Sequence, residues 1–219
     1  CKAAVLDAPC LKTFAKRIRR RAGYKQLRKT KGARAAYQAK PFVFLLDRRN
    51  PAHGDRPWEI AHIDHTELDI ELVCHRTGRN LGRPWLTLLI DARTRRILAV
   101  WVSFTSERSE LCMHVMRECV RRHHRLPQMI VVDNGKPFNS IYFETLLASY
   151  SITKKSRPPA QSRNGSVCER LFGTTNTQFI HNLCGNTKLT KKVREVTKEF
   201  NPKNLAAWSL EMLIPRMEE

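Results

Sequence analysis

From Trp58 to Ser156 the apolar residues change period in a set order, and that order constrains the fold more than any other feature of the chain. Residues 58–74, 84–92 and 95–104 alternate or run apolar as strands do, the last two joined by a turn at DARTR. Three antiparallel strands are the simplest arrangement. SERSELCMHVMRECVRRHH then reads as a helix, with Ser106 as N-cap, a stripe of Leu111, Val115, Cys119 and Val120, and basic residues closing its C-terminal end. QMIVVDNG is a short buried strand, SIYFETLLASY a second helix, SITKKS a fifth strand, and RPPAQSRNG a loop opening a long helix from about Gly165 to His181. The order β-β-β-α-β-α-β-α predicts an α/β fold, a mixed five-stranded sheet with helices packed on it.

The charge says what such a domain meets. A formal net charge of +20 and a pI near 10.2 imply a polyanionic partner, nucleic acid first. No apolar run approaches spanning length and no signal peptide stands out, so a membrane is not the expected partner and a cytoplasmic, nucleoid-associated location is. The seven cysteines contain no C-x-x-C pair and none has a histidine at finger-like spacing, which reads as reduced thiols rather than zinc ligands. Cys112 and Cys119 fit the apolar side of their helix. With Cys1 in place of a start Met and the plain ending IPRMEE, we expect a piece of a longer protein.

Thirteen Lys or Arg and the single acid Asp7 fall in the first forty residues. Good helix formers there, interrupted at Gly23 and Gly32, predict one or two basic helices, a solvated face or a DNA-backbone contact. DRRNPAHGDRP, residues 47–57, is a boundary loop. The expected domains are therefore a basic helical arm and linker at 1–57, the remnant of a DNA-binding region; a core at 58–182; and a helical extension at 183–219.

Three acids invite chemistry. Asp64, in AHIDHTELDI, shares a strand face with Ile60, Leu68, Ile70 and Leu72, while His65, Glu67, Asp69 and Glu71 take the opposite face, where charge belongs. A carboxylate on the apolar side must neutralise, pair or bind a metal. Asp133 closes the strand VVDNG, where sites are built in α/β folds, although Asp-Asn-Gly is also a good turn. Glu169 lies on the long helix with Phe172 and Asn176, while Val167, Leu171 and Phe179 form the core-facing stripe; alone it is an ordinary surface glutamate.

Taken together, Asp133 and Glu169 leave 35 residues between them, behind Asp64 on the first strand and in a strongly basic chain. This resembles the D, D-35-E arrangement of the DDE transposase and retroviral integrase superfamily, which has an RNase H-like catalytic core. The resemblance covers roughly residues 58–182 and includes IDHTELD, VVDNG and RPPAQSRNGSVCERLFGT. HIDHTELDI and GSVCERLFGT look most like the large transposases of the TnsB, TniA and Mu group. The resemblance implies a transposase that hydrolyses the 3′ strand at transposon ends and uses each freed 3′-OH to attack target DNA. It implies Asp64, Asp133 and Glu169 as catalytic and metal-binding residues, with Asp64 bridging two Mg²⁺ ions, Asp133 holding one and Glu169 the other. Mn²⁺ would substitute. It also implies transposon-end and target DNA as partners, a multimer on DNA, and room for a second-strand nuclease and an AAA+ ATPase regulator.

The residue types suit that chemistry: in-line displacement at a phosphodiester needs an activated nucleophile and a stabilised leaving oxygen, which two ions about 4 Å apart supply together. Mg²⁺ prefers hard oxygen ligands and keeps its waters, so a few carboxylates suffice. Lys154, Lys155, Arg157, Gln161, Arg163 and Asn164 surround the loop delivering Glu169 and are candidates for phosphate contact, as are Arg19, Arg20 and Arg21 in the arm. Arg170 pairs with Glu169 or with DNA.

Other residues have plainer readings. Asp91 opens a turn and is expected to bond the amides of Arg93 or Thr94. His62 and His65 read as plain strand histidines, with support of a metal ligand or a phosphate contact as the alternative. Cys168 has no base beside it and needs no catalytic role. TKLTKKVREVTKEF and NPKNLAAWSLEMLI predict two further helices, the second started by Asn201 and Pro202, with Leu205, Trp208 and Met212 as a packing or docking stripe.

Departures from the resemblance are three: this sequence shows no His-His-Cys-Cys zinc domain ahead of the core, no β-rich segment after residue 182, and no long C-terminal tail for a regulatory ATPase. Two rival functions remain, an RNase H-like nuclease that cuts without joining and a domesticated transposase that binds DNA without catalysis.

Overall fold

A computed structural model describes residues 10–21, 23–39, 53–105, 109–133, 135–157, 166–188 and 201–218. The chain divides into two compact units, Cys1–Arg48 and Arg49–Glu219.

In the first unit, α1 (Leu11–Arg21) and α2 (Tyr24–Ala36) are built from Leu, Ala, Lys and Arg, which lose little rotamer freedom in a helix. Extended backbone at Gly23 precedes α2, and Gly32, at φ 81°, kinks it. Both breaks fall where the glycines predict them, because only glycine adopts that second conformation without steric cost. Leu11, Phe14 and Ile18 form an exposed apolar line on α1.

The second unit is a mixed sheet. β1 (Ile60–Glu67) leads through a small ribbon of β2 (Leu72–Val73) and β3 (Asn80–Gly82) into β4 (Trp85–Asp91) and β5 (Ile97–Ser103). After α3 (Ser109–His123) come β6 (Met129–Val132), α4 (Ile141–Ser149), β7 (Thr153–Ser156), α5 (Ser166–Thr174) and, near the C-terminus, α6 (Leu210–Glu218). The five-stranded sheet has the order β5-β4-β1-β6-β7, antiparallel across the first three strands and parallel across the last three. This is the predicted mixed sheet, with β1 at its centre.

Burial on both faces corrects the reading of β1. One side packs Ala61, Ile63, Leu89 and Ala99 against Cys112, Val115, Met116 and Cys119 of α3 and Phe143 and Leu147 of α4. The other packs Leu68, Leu86, Leu88 and Ile90 against Cys168 and Phe172 of α5, with Ile180 and Leu213. The face opposite Asp64 is thus apolar and not a charged surface, as a central strand covered by helices on both sides requires. Nor does β1 run to residue 74: it ends at Glu67, with the Leu68 amide still bonding the Pro84 carbonyl in the register of β4 and Arg83 paired with Asp69 beyond it.

The helices differ in detail from expectation. On α3 the buried line is Leu111, Cys112, Val115, Met116 and Cys119, with Val120 turned outward; Ser106 lies outside the described residues. On α5 Phe172 is buried beside Cys168 and does not share an outer face with Glu169. The predicted helix to His181 stops at Thr174 and continues as a π turn, Thr175–Phe179, and a 3-10 turn, Ile180–Asn182. Thr174 and Thr177 hydroxyls bond the carbonyls of Arg170 and Gly173, and such side chains compete with the regular ladder. The Asn201–Pro202 start gives only a 3-10 turn, Pro202–Leu205, before extended residues and α6. Trp208 packs on the core, but Leu205 and Met212 are exposed and Leu213 is the buried residue of α6, so the expected stripe does not form. Residues 189–200, the other predicted helix, lie outside the described residues. Among the described residues no helix is long and apolar enough to cross a membrane.

Candidate active site

Register places the acids. In the parallel pairing of β1 with β6, His62 is level with Val131, and in that of β6 with β7, Val132 is level with Ser156. Carried to the strand ends, these registers set Asp64 level with Asp133, and Asp133 level with Arg157. The Arg157 amide continues the ladder, donating to the Val132 carbonyl at 2.8 Å. The extended registers therefore set three charged residues in one row across three adjacent strands, Asp64 in the middle of β1 and Asp133 and Arg157 directly after β6 and β7.

Arg157 reaches over Asp133 to Asp64, its Nη2 donating to Asp64 Oδ2 at 3.0 Å. Two strand spacings are roughly 10 Å, a span that an extended arginine covers. The second carboxylate oxygen, Oδ1, accepts the His65 amide at 2.9 Å. Burial pushes the Asp64 carboxyl above its ordinary range and the charge of Asp133 adds to the rise, although Arg157 and the His65 amide pull it down. Asp133 Oδ1 accepts the Gly135 amide at 2.8 Å, a turn bond, so the turn and the strand-end readings of Asp133 hold together.

Glu169 is exposed in the first turn of α5, the helix that packs on β1 and β4. Its neighbour Cys168 is fully buried, and burial first, then the charge of Asp64, with a smaller push from Glu169, raises that thiol to about 12. Cys168 thus lies within the electrostatic reach of both carboxylates and is inert. Among the described residues no group of three or more His, Cys, Asp or Glu side chains is gathered as a metal cage.

The histidines around Asp64 are held differently. His65 stacks on Phe138 with ring centroids 4.9 Å apart, and its Nδ1 meets Thr87 Oγ1 at 2.8 Å and its Nε2 Cys112 Sγ at 3.6 Å. Burial takes it down to about 4, so it is neutral and fixes the strand beside Asp64. His62 is buried on the Asp64 face, and burial, with Arg157 next, brings it too to about 4. Asp91 accepts from the Arg93 and Thr94 amides at 3.0 and 2.7 Å, as its turn predicts, and also from the Trp58 amide at 2.6 Å.

Of the candidate phosphate contacts, Lys154 is turned to α4, its Nζ bonding Glu144 Oε1 at 2.7 Å and the Phe138 carbonyl at 2.7 Å. Lys155 is exposed on the edge strand β7. Gln161, Arg163 and Asn164, and the side chains of Arg19, Arg20 and Arg21, lie outside the described residues. Arg170 is exposed and lines a cleft with Ile90, Arg95, Val167, Leu171 and Thr174. Sequence reasoning placed Arg157 near the DNA but missed its bond to Asp64; the only signal was its position directly after β7, which has meaning once the strand order is known.

Comparison with known proteins gives the family. The TnsB C-terminal domain family matches residues 62–126 and 122–185. The chain is 27% identical over 139 residues to the transposase for transposon Tn552 of Staphylococcus aureus, covering 60% of this chain and 28% of that protein. It is 25% identical over 142 residues to the transposon Tn7 transposition protein TnsB of Escherichia coli, covering 56% and 20%. It therefore spans well under a third of either relative. Among solved structures, the HTLV-2 integrase catalytic core domain in complex with magnesium, in its trimeric form, aligns at 20% identity and a TM-score of 0.43, over 69% of this chain and 82% of that one. With the match running from residue 62 to residue 185, more than half its length, the chain belongs to the TnsB C-terminal domain family, within the DDE transposase and integrase superfamily.

Proposed function

We propose that this chain is the catalytic core of a DNA transposase, a DDE-type polynucleotidyl transferase that cleaves the 3′ strand at transposon ends and joins the freed 3′-OH to target DNA. The observation that carries the reading is the register that brings Asp64, in the middle of β1, level with Asp133, directly after the neighbouring strand β6, with the helix bearing Glu169 packed on β1. Two carboxylates side by side in a half-buried row repel each other, and a divalent cation offsets that cost. The raised Asp64 carboxyl and the all-oxygen donor set both fit Mg²⁺, with Mn²⁺ as substitute, held by Asp64, Asp133 and Glu169. Two bound ions would supply activation of the attacking oxygen and stabilisation of the leaving one.

The protein's own part is to hold and aim. Asp64 and Asp133 are fixed by backbone amides, and β1 beneath them is locked through His65. Lys155, Gln161, Arg163 and Asn164 grip DNA phosphates, and the basic arm with its Arg19, Arg20 and Arg21 adds sequence-independent affinity. Cleavage and joining use one site, because in the first step water attacks the phosphorus and the transposon 3′-oxygen leaves, while in the second that 3′-OH attacks and a target 3′-oxygen leaves. Residues 58–182 form this core, and the full protein works as a multimer on paired ends, open to a second-strand nuclease and an AAA+ ATPase regulator.

Mn²⁺ titration with a short DNA duplex present, followed by electron paramagnetic resonance, tests the site. Wild type takes up Mn²⁺, and Asp64→Asn and Asp133→Asn lose it; equal uptake by all three overturns the reading. With the full-length protein and pre-cleaved end DNA, a joined product separates a transposase from a nuclease that only cuts.

A further inference from the structure

Arg157 stands where the chemistry of Asp64 calls for a cation, and we propose that it is a built-in competitor for the metal: its guanidinium occupies Asp64 until a divalent ion displaces it. This rests on the reading of Asp64 as a metal ligand. Each carboxylate oxygen of Asp64 is already engaged, Oδ1 by the His65 amide and Oδ2 by Arg157 Nη2 at 3.0 Å. The pair is well covered, with the Arg157 side chain 10% exposed and that of Asp64 17%. An ion entering at Oδ2 meets a guanidinium a few ångströms away, and like charges in a partly buried site repel strongly. Lysine or histidine yields by losing a proton, but arginine stays charged and has to move.

Its destination follows from its shape. The planar fork of a guanidinium matches a phosphate, and the nearest phosphates in the proposed reaction are those of the DNA strand lying over the carboxylates. Arg157 then holds Asp64 in place without metal and passes to the DNA backbone once the site is loaded. Without DNA, metal binding is held weak by the protein itself.

The test is Mn²⁺ binding to the DNA-free protein at pH 8, by electron paramagnetic resonance, in wild type, Arg157→Gln and Asp64→Asn. Arg157→Gln is expected to bind Mn²⁺ about tenfold more tightly than wild type, as removal of one nearby positive charge predicts. Unchanged or weaker binding overturns the competition. Asp64→Asn separates the two levels: if it binds like wild type, the metal reading itself fails, and if it loses Mn²⁺ while Arg157→Gln matches wild type, the competition alone fails. In wild type, where folding is not at issue, the Arg157 Nε–H resonance is expected to shift in step with Mg²⁺ saturation. A resonance that stays still while the Asp64 carboxyl carbon moves also overturns the proposal.

Discussion

Asp64, in the middle of β1, stands level with Asp133, directly after β6, when the register of these adjacent parallel strands is carried two residues on, one acid from the first strand of the sheet and the other from a position more than sixty residues later. Their proximity has an electrostatic consequence, since the charge of Asp133 raises the Asp64 carboxyl beyond what burial does alone. Asp133→Asn is therefore expected to lower the Asp64 pKa, read from the carboxyl carbon shift against pH in chelated protein. An unchanged or higher value would show that the two side chains do not face each other. The sign for stability follows: with its folded pKa raised, Asp64 favours the fold most when protonated, below about pH 3.8, and that contribution is lost as pH rises through the folded value.

His62 and His65 predict a slope at mildly acidic pH. Both are pulled by burial from 6.5 to about 4, so between those values the unfolded chain binds protons that the folded one refuses. Stability rises with pH across this window, by about 1.4 kcal/mol per pH unit for each fully released proton. Urea titrations from pH 4.5 to 7 should show that slope, reduced by about one proton in His65→Gln. A slope identical to wild type would mean His65 titrates freely.

Asp91 ties the start of the core to a turn, through amides of Trp58, Arg93 and Thr94 and the Thr94 hydroxyl. Burial raises its carboxyl, but these bonds outweigh it and the net shift is downward. Asp91→Ala removes the shared acceptor of these half-buried and exposed donors, at a cost of roughly 1–2 kcal/mol near neutral pH. The wild-type contribution is present above about pH 3.8 and is lost as pH falls through the depressed folded value, so the gap to the variant should close in acid. Chemical denaturation at two pH values measures it.

Two glycines with positive φ make a matched pair. A Cβ on Gly185, at φ 83°, would lie 2.9 Å from Ala206 Cα and 3.0 Å from the Glu71 carbonyl, whereas one on Gly78, at φ 65°, meets nothing within 4 Å. Gly78→Ala should cost about 1 kcal/mol from backbone strain alone, and Gly185→Ala several times as much, since backbone must shift as well. Similar melting temperatures for the two variants would contradict the close approach.

The order of elements was legible because each leaves a local period: β4, β5, α3, β6, α4 and β7 all fall within a few residues of where the apolar pattern puts them. So were Gly23 and Gly32 as breaks in the arm and Asp91 as a turn residue, since one residue and its immediate neighbours decide such features. The error over β1 came from taking a single strand by itself. Alternation tells which side chains share a face, but whether the second face is wet depends on α3, which lies more than forty residues away in sequence.

By itself, then, the sequence determined the mixed sheet with its helices, the basic character of the arm, and the spacing that marks Asp64, Asp133 and Glu169 as candidates, because local propensity, charge and counting need no partner strand. Only the tertiary structure decided that Asp64, Asp133 and Arg157 share one row and that Arg157 bonds Asp64 across it. It also turned Lys154 to Glu144 and buried Phe172 instead of leaving it beside Glu169. The physical reason is register. Which residues of β1, β6 and β7 stand level is set by packing both sheet faces against α3, α4 and α5 at once, a condition that spans the whole core and leaves no local period in the chain.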